Sequence, residues 1–282
     1  MNFKFFALLV LVVLFFSNCR KEELDGNTTT SSDYSYSEFV SGDLKNISNE
    51  GLDYSVNDPD GKTERVWYLS NGCAAISVSP AWPDTTFPKD IIIDFGTGCT
   101  GMDGRVRSGK VMVSSTGRYR TPGASWTVTT DDYSINGIAV DAVRNVENQG
   151  LNDQGHLLYR VENNLNKITR PDGRSFSYSS IYERSWISGI ETNFFNEGIP
   201  GIQDDIYWVT GGGSGINSDG NPYSITITDK LVVELDCPHV VSGILEISPD
   251  GRPTRILDYG NGDCDNSATV AINDRTFQVI LP

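Results

Sequence analysis

The chain has few of the residues and none of the short motifs by which common enzyme classes are recognised. Its two histidines are His156 and His239, and neither has a second metal-ligating side chain at helical or hairpin spacing. A Gly-x-Ser-x-Gly elbow, a His-Glu-x-x-His helix and a phosphate-binding loop are also missing. The sequence therefore predicts a non-enzymatic protein with no metal ion and no cofactor.

Positive charge is scarce in the chain. There are 22 Lys and Arg residues against 37 Asp and Glu residues, which gives a formal net charge of −15. A field of this sign repels phosphate backbones, so nucleic acid is excluded as an expected partner. The same acidic balance is ordinary for a soluble protein of the cell envelope, and by itself it indicates no cationic ligand.

Long apolar runs are absent after the first sixteen residues. Residues 5–16 are uninterrupted apolar residues that follow Lys4. This run is shorter than the ~20 residues that span a bilayer, so residues 1–18 are predicted to be a signal peptide. Ser17 and Asn18 leave room for a peptidase before Cys19.

The segment that ends at Cys19 resembles the lipobox of bacterial lipoproteins, although Phe16 and Asn18 stand where Leu and a smaller residue are commoner. The resemblance implies a lipid on Cys19 and anchorage to the outer membrane. Residues 20–23 resemble the export signal of Bacteroidota lipoproteins, which implies display at the cell surface. The alternative is an ordinary secretory leader beside which the cysteine is accidental.

Cysteines are few, and four of the five lie apart from Cys19. Cys73 and Cys99 are 26 positions apart, and Cys237 and Cys264 are 27 apart. An even number of cysteines in an exported chain predicts disulfides, and the nearly equal spacings favour two local bridges of the same kind. A zinc site is the alternative, but metal sites usually pair cysteines two to four positions apart.

A repeated motif precedes the second cysteine of each pair. Residues 92–99 and 256–264 both read as an apolar strand, then Asp-aromatic-Gly-x-Gly, then cysteine, with one insertion in the later copy. An internal duplication explains the match. Convergence of two hairpins on similar turn chemistry is the alternative, because glycine-rich hairpin turns resemble one another.

Helical periodicity is missing beyond the leader, so no further long helix is predicted. Residues 19–48 are rich in polar side chains and are expected to form a flexible tether. From there on, short alternating runs such as 138–143, 223–227 and 231–235 are split by Asp-Gly and Asn-Gly turns, the pattern of antiparallel strands.

These patterns predict an all-β fold, namely a large antiparallel protein that is built from a duplicated unit as a sandwich or as an extended curved sheet. The expected units are residues 49–188 and 189–282, with one continuous domain as the alternative. The glycine-rich segment 211–215 lacks a following helix and is interpreted as a flexible turn. It is similar to a single glycine-aspartate calcium repeat, which leaves bound calcium open.

The turns at residues 94–98, 103–110 and 258–265 resemble those of a family of Bacteroidota surface and outer-membrane lipoproteins. The similarity covers most of residues 90–282. It implies β architecture and an outer-membrane, surface-exposed location, and it carries no established activity. The resulting expectation is a lipid-anchored envelope protein with a binding or scaffolding role.

Two alternative functions rest on particular side chains. Aromatic rings can act as platforms for sugars, so a glycan-binding surface lipoprotein would use Trp67, Trp126, Trp186 and Trp208, unless these rings pack between strands. A glycan hydrolase would need two carboxylates about 5 to 10 Å apart, yet nothing in the sequence selects a pair. Asp94 and Asp258 recur in the repeat, but an Asp before a glycine-rich turn usually accepts hydrogen bonds from the amides of that turn.

Overall fold

The computed structural model describes residues 27–56, 73–192, 197 and 200–281. Within them lie fourteen strands in one antiparallel sheet and two helices, so the all-β prediction is confirmed. The elements are α1 (Thr29–Ser55), β1 (Ala75–Ser79), β2 (Lys89–Asp94), β3 (Cys99–Thr100), β4 (Val106–Ser115), β5 (Ser125–Ile135), β6 (Ile138–Leu151), β7 (Leu157–Thr169), β8 (Ser175–Ser188), α2 (Pro200–Gln203), β9 (Ile206–Ile216), β10 (Pro222–Glu234), β11 (Val240–Pro249), β12 (Arg255–Asn261), β13 (Ser267–Ile272) and β14 (Arg275–Ile280).

The sheet is a meander in which almost every strand pairs with the next one along the chain. Only β3 departs from this path, since it pairs with β4 beside β2. Tight turns produce the order; Asn136 and Gly137, both at positive φ, join the paired residues Ile135 and Ile138. The boundary expected after residue 188 falls between β8 and β9, which pair with each other inside the same sheet.

Strands β6, β7 and β8 bury alternate residues over most of their length, and these residues belong to the same buried core as α1. The burial of β6 alternates along its whole length. Because α1 contacts strands from β2 to β11 in a sheet whose strands follow chain order, the sheet must curl around the helix. The core therefore lies between the helix and the concave face of the sheet, which is the curved-sheet alternative of the prediction rather than a sandwich.

The expectation of a flexible tether over residues 19–48 is wrong for the described part, because α1 is a 27-residue helix within the core. Its serine hydroxyls donate to carbonyls one turn earlier, as from Ser35 to Ser31 and from Ser37 to Asp33, so a polar helix can be buried. Residues 19–26 lie outside the described residues.

The interpretation of residues 211–215 as a flexible turn is also wrong, because they lie within β9. Gly215 pairs with Tyr178 of β8 on one side and with Tyr223 of β10 on the other. The two tyrosine rings lie parallel, with their centroids 6.3 Å apart. The glycine-rich strand is thus covered by aromatic side chains from its neighbours, which supply the apolar contacts that glycine cannot.

Gly215→Ala is expected to lower the free energy of unfolding by about 1–3 kcal/mol, the usual cost of overpacking. A Cβ at this position would collide with the carbonyl oxygen of Ser177 and would lie 2.7 Å from the hydroxyl oxygen of Tyr223. Urea unfolding measures the change. Ser214→Ala, at the adjacent exposed position of the same strand, is the matched control and should change stability by less than about 0.5 kcal/mol.

Both predicted disulfides are present, and the local pairing is confirmed. Cys73 bonds to Cys99 and Cys237 to Cys264, each with Cα atoms 5.7 Å apart. Each bridge joins a residue just before one strand to a residue beyond the next strand of the same antiparallel pair, β1–β2 or β11–β12. The two cysteine pairs are therefore equivalent in topology as well as in spacing.

Candidate functional site

A cavity of about 920 Å³ lies between α1 and the concave face of the sheet. One wall is the face of α1 that carries Glu38 and Lys45. The opposite wall comes from strands β6 to β12. A volume of this size falls within the range of small-molecule sites, which are usually concave and partly apolar.

Two arginines lie on the sheet wall of this cavity. Arg144 on β6 is 5% exposed and Arg184 on β8 is 8% exposed. An Nη1 hydrogen of Arg144 is donated to the side-chain oxygen of Asn163, at 2.6 Å. Asn163 is held in turn by its amide nitrogen, which donates to the hydroxyl of Ser180 on β8, at 3.0 Å. Hydrogen bonds between side chains of β6, β7 and β8 therefore position Arg144.

Arg184 is held by aromatic side chains. Its guanidinium carbon lies 3.7 Å from the centroid of the Tyr207 ring, and its Nη2 donates to the hydroxyl of Tyr119, at 3.3 Å. The ammonium of Lys45 lies over the same Tyr207 ring, 5.6 Å from its centroid. Cations from both walls thus meet at one ring of the sheet.

The three cations influence one another. Burial and the charge of Arg184 lower the pKa of Arg144 to about 10. Burial, followed by the charges of Arg184 and Arg144, lowers the pKa of Lys45 well below its usual value. The interior of this acidic protein therefore contains a cluster of three basic side chains whose positively charged forms repel one another.

Aromatic rings form the apolar part of the cavity. The rings of Tyr119 and Tyr159 stack with centroids 4.8 Å apart, and Trp186 packs 5.4 Å from Tyr207. Val209 on β9 also lines the cavity. The site combines flat apolar surfaces with buried cations, which suits a ligand that has both an apolar and a polar part.

Two carboxyl groups in the cavity accept hydrogen bonds from neighbouring side chains. Asp205 accepts from the indole of Trp186 and from the hydroxyl of Tyr207, both at 3.2 Å, and burial raises its pKa to about 6. Glu38 on α1 accepts from the hydroxyl of Tyr182, at 3.2 Å. Burial raises the pKa of Glu38 to about 7.

The tryptophans that the sequence suggested as sugar platforms differ in their burial and in their position relative to the cavity. Trp126 and Trp186 are buried, and only Trp186 of these two lines the large cavity. Trp208 is half-buried, with the ammonium of Lys230 4.5 Å from its ring centroid. Trp67 lies outside the described residues. A row of exposed rings from Trp126 to Trp208 is therefore not formed.

The recurring aspartates have the structural role that the turn chemistry indicates. Asp94 accepts the backbone N–H of Gly96, at 2.9 Å, and Asp258 accepts that of Gly260, at 2.8 Å. His239 lines the cavity, whereas the ring of His156 lies 6.5 Å from that of Trp208. Among the residues that the structure describes, no group of three or more His, Cys, Asp or Glu side chains could hold a metal ion.

Sequence reasoning missed Arg144, Arg184, Lys45 and Glu38. Both arginines occupy buried positions of their strands, whereas a single arginine within a strand pattern is ordinarily expected to face solvent. The helix had a weak signal in Val40, Leu44 and Ile47, which are spaced four and three apart.

No protein-family model, curated protein or solved structure matches this chain. Within the described ranges, neither helix is both long and apolar enough to cross a membrane.

The protein should lose stability as the pH rises from about 5 to about 7. The pKa of Glu38 in the folded state, about 7, lies above its ordinary value of 4.5. The folded state therefore binds more protons than the unfolded state in this window, so deprotonation favours unfolding. Asp205 and Asp53, both with pKa raised by burial to about 6, act in the same direction.

Glu38→Gln should flatten this pH dependence, as measured by urea unfolding at several pH values. The groups that face Glu38 are Tyr34 on α1, Tyr182 on β8 and Arg144 on β6. The control is Glu162→Gln on β7, a carboxylate exposed to solvent, which should retain the full slope. If stability falls with rising pH as steeply in Glu38→Gln as in the parent, Glu38 is not a source of the pH dependence.

Proposed function

We propose that this chain is a lipid-anchored envelope protein that binds a small, partly apolar ligand inside its curled sheet and performs no chemistry on it. The observation that carries the proposal is the cavity of about 920 Å³ between α1 and the sheet. A core packed at ordinary density leaves few voids larger than a water molecule. An interior space of this size, lined by ordered aromatic side chains, is typical of a binding site.

The anchor and location in this proposal rest on the sequence. The apolar run at residues 5–16 and the lipobox-like segment that ends at Cys19 support attachment to the outer membrane with the β domain at the cell surface. The partners are then the membrane, through the lipid on Cys19, and a ligand taken up from the envelope or its surroundings. The net charge of −15 argues against nucleic acid.

A glycan is the second candidate ligand, and the aromatic lining favours it specifically. Trp186, Tyr119 and Tyr207 present rings to the cavity, and such rings can stack against sugars. A soluble oligosaccharide such as maltohexaose should then bind, and should lose affinity in Trp186→Ala. The apolar-ligand proposal expects no measurable binding of this sugar.

Calorimetric titration with N-phenyl-1-naphthylamine, a neutral apolar probe, tests the proposal. The expected result is saturable binding of one probe per chain. Val209→Trp should abolish it, because the added indole would occupy the cavity that Val209 lines. Thr210→Trp, at the next and exposed position of β9, is the matched control and should bind like the parent.

Circular dichroism would check that Val209→Trp is folded, and Val233→Trp on β10 offers a second way to fill the same cavity. Binding that is absent in the parent, or that persists in both folded cavity-filling variants, would overturn the proposal.

A further inference from the structure

We propose that Arg144, Arg184 and Lys45 together receive one anionic group, a carboxylate, sulfonate or phosphate, on the ligand. This inference rests on the proposed function, since it concerns the same cavity. It assigns the ligand to the class of anionic amphiphiles, whose apolar part would lie against the aromatic lining.

The first support is the state of the two guanidinium groups. Both side chains are more than nine-tenths buried and line the cavity. Neither forms a salt bridge within 4 Å to a carboxylate of the described residues. The Nε atoms of Arg144 and Arg184 have no hydrogen-bond partner in the described part of the protein. Buried charges are normally paired, so this arrangement points to a missing anion.

The second support is a contrast with other buried arginines of the same fold. Arg107 is paired with Asp43 and Asp103, and Arg170 is paired with Asp33. Where a guanidinium serves to fasten α1 to the sheet, the fold thus provides a carboxylate in direct contact. Arg144 and Arg184 lack such a contact, and they are the two buried arginines among those that line the cavity.

The third support is the balance of charge around the cluster. Glu38 acts on Arg144, and Asp205 acts on Lys45 and Arg184, but neither makes an ion pair with them. An anion placed among the three cations would relieve their repulsion and form charge-assisted hydrogen bonds. Guanidinium groups suit this role because their planar forks match carboxylate, sulfonate and phosphate oxygens.

The test compares three ligands with the same ten-carbon chain by calorimetry, each at concentrations too low for micelles. They are 1-decanesulfonate, 1-decanol and decyltrimethylammonium. The expected order has the sulfonate binding at least about tenfold more tightly than the alcohol, with the cation weakest. Sulfonate affinity should also rise as the pH falls from about 8 to about 5.5, because protonation of Glu38 and Asp205 leaves the cluster more positive.

Arg184→Gln and Arg144→Gln should each weaken sulfonate binding at least about tenfold and leave 1-decanol binding within about twofold. Arg160→Gln, at a half-buried arginine of β7 outside the cavity, is the matched control and should change neither. Should Arg144→Gln or Arg184→Gln fail to fold, Lys45→Gln on the half-buried face of α1 provides the third variant, with the same expected direction.

A thermal melt of the ligand-free protein distinguishes a binding role from a purely structural one. A residue that only holds the fold lowers Tm when it is replaced. Removal of one of several repelling buried charges should instead leave Tm unchanged or raise it in Arg144→Gln, which keeps an amide donor for Asn163. A lowered Tm would contradict the inference.

Failures of the two proposals are distinguishable. Sulfonate binding no tighter than alcohol binding, with N-phenyl-1-naphthylamine still bound in the cavity, would overturn the anion receptor and leave the binding function intact. If the arginine variants lose sulfonate binding and alcohol binding to the same extent, the proposal that these residues bind an anionic group would also be overturned. Absence of cavity-dependent binding for every probe would overturn both.

Discussion

Asp43→Asn is expected to lower the free energy of unfolding by about 3–5 kcal/mol, the usual cost of leaving a buried charge without its partner. Asp43 lies on α1 with no exposed surface. Its carboxylate accepts from Arg107 at 2.5 Å, from Tyr133 at 2.5 Å and from Arg105 at 3.3 Å. Asparagine would keep the shape but would remove the negative charge that Arg105 and Arg107 share.

Urea unfolding monitored by circular dichroism measures this effect. Glu162→Gln removes the carboxylate of a solvent-exposed pair with Arg160, so it serves as the matched control and should cost less than about 1 kcal/mol. Equal, small changes in both variants would mean that the Asp43 cluster does not fasten α1 to the sheet. The position of α1 as a wall of the cavity would then lose its main explanation.

Removal of the second disulfide, in the double variant Cys237→Ser with Cys264→Ser, should lower the free energy of unfolding by about 3–4 kcal/mol. The bridge closes a loop of 27 positions, and the chain-entropy model gives about this value for such a loop. Cys237 is also next to Pro238 and His239, which line the cavity, so the bridge fixes that part of the wall.

The control uses a protein that carries Cys73→Ser and Cys99→Ser, so that only the second bridge can form. The comparison protein carries Cys237→Ser and Cys264→Ser as well. In a reducing buffer the protein with only the second bridge should fall to the stability of this comparison protein. A difference below about 1 kcal/mol between its oxidised and reduced forms would contradict the expected contribution of the loop.

The strands and bridges were predictable because their signals are local. Alternation of apolar residues and Asn-Gly at 136–137 define a hairpin without reference to the rest of the fold. The cysteine spacings indicated local bridges for the same reason. One detail differs: residues 223–227 and 231–235 were expected as separate runs, whereas β10 continues from Pro222 to Glu234 through an irregularity in register.

The central helix was not predictable from local pattern because tertiary contacts stabilise it. α1 is polar on nearly every face, which indicates a solvated segment when the sequence is taken alone. In the fold, Asp33 meets Arg170 just after β7 and Asp43 meets Arg107 on β4, and small residues such as Gly51 allow close approach to Ile93. Those partners are more than forty positions away, beyond any local pattern.

The cavity was unpredictable for a related reason. Arg144 and Arg184 lie forty positions apart, and only the curl of the sheet around α1 brings them to one wall. Trp186 was predicted as a glycan-binding residue on an exposed face; it is buried and lines the cavity, and its binding role stays a prediction. Glycan binding or lipid anchorage at Cys19 stays a prediction, since residues 1–26 and Trp67 lie outside the described ranges.

The most direct test of the binding site is the indole N–H spectrum of ¹⁵N-labelled protein during titration with N-phenyl-1-naphthylamine. Trp186 lines the cavity and donates its indole N–H to Asp205, whereas Trp82 lies exposed in the loop before β2. The account predicts that the Trp186 resonance shifts in saturable fashion while the Trp82 resonance stays in place. A shift of Trp82 with Trp186 unaffected would place the probe on the outside of the sheet and contradict the account.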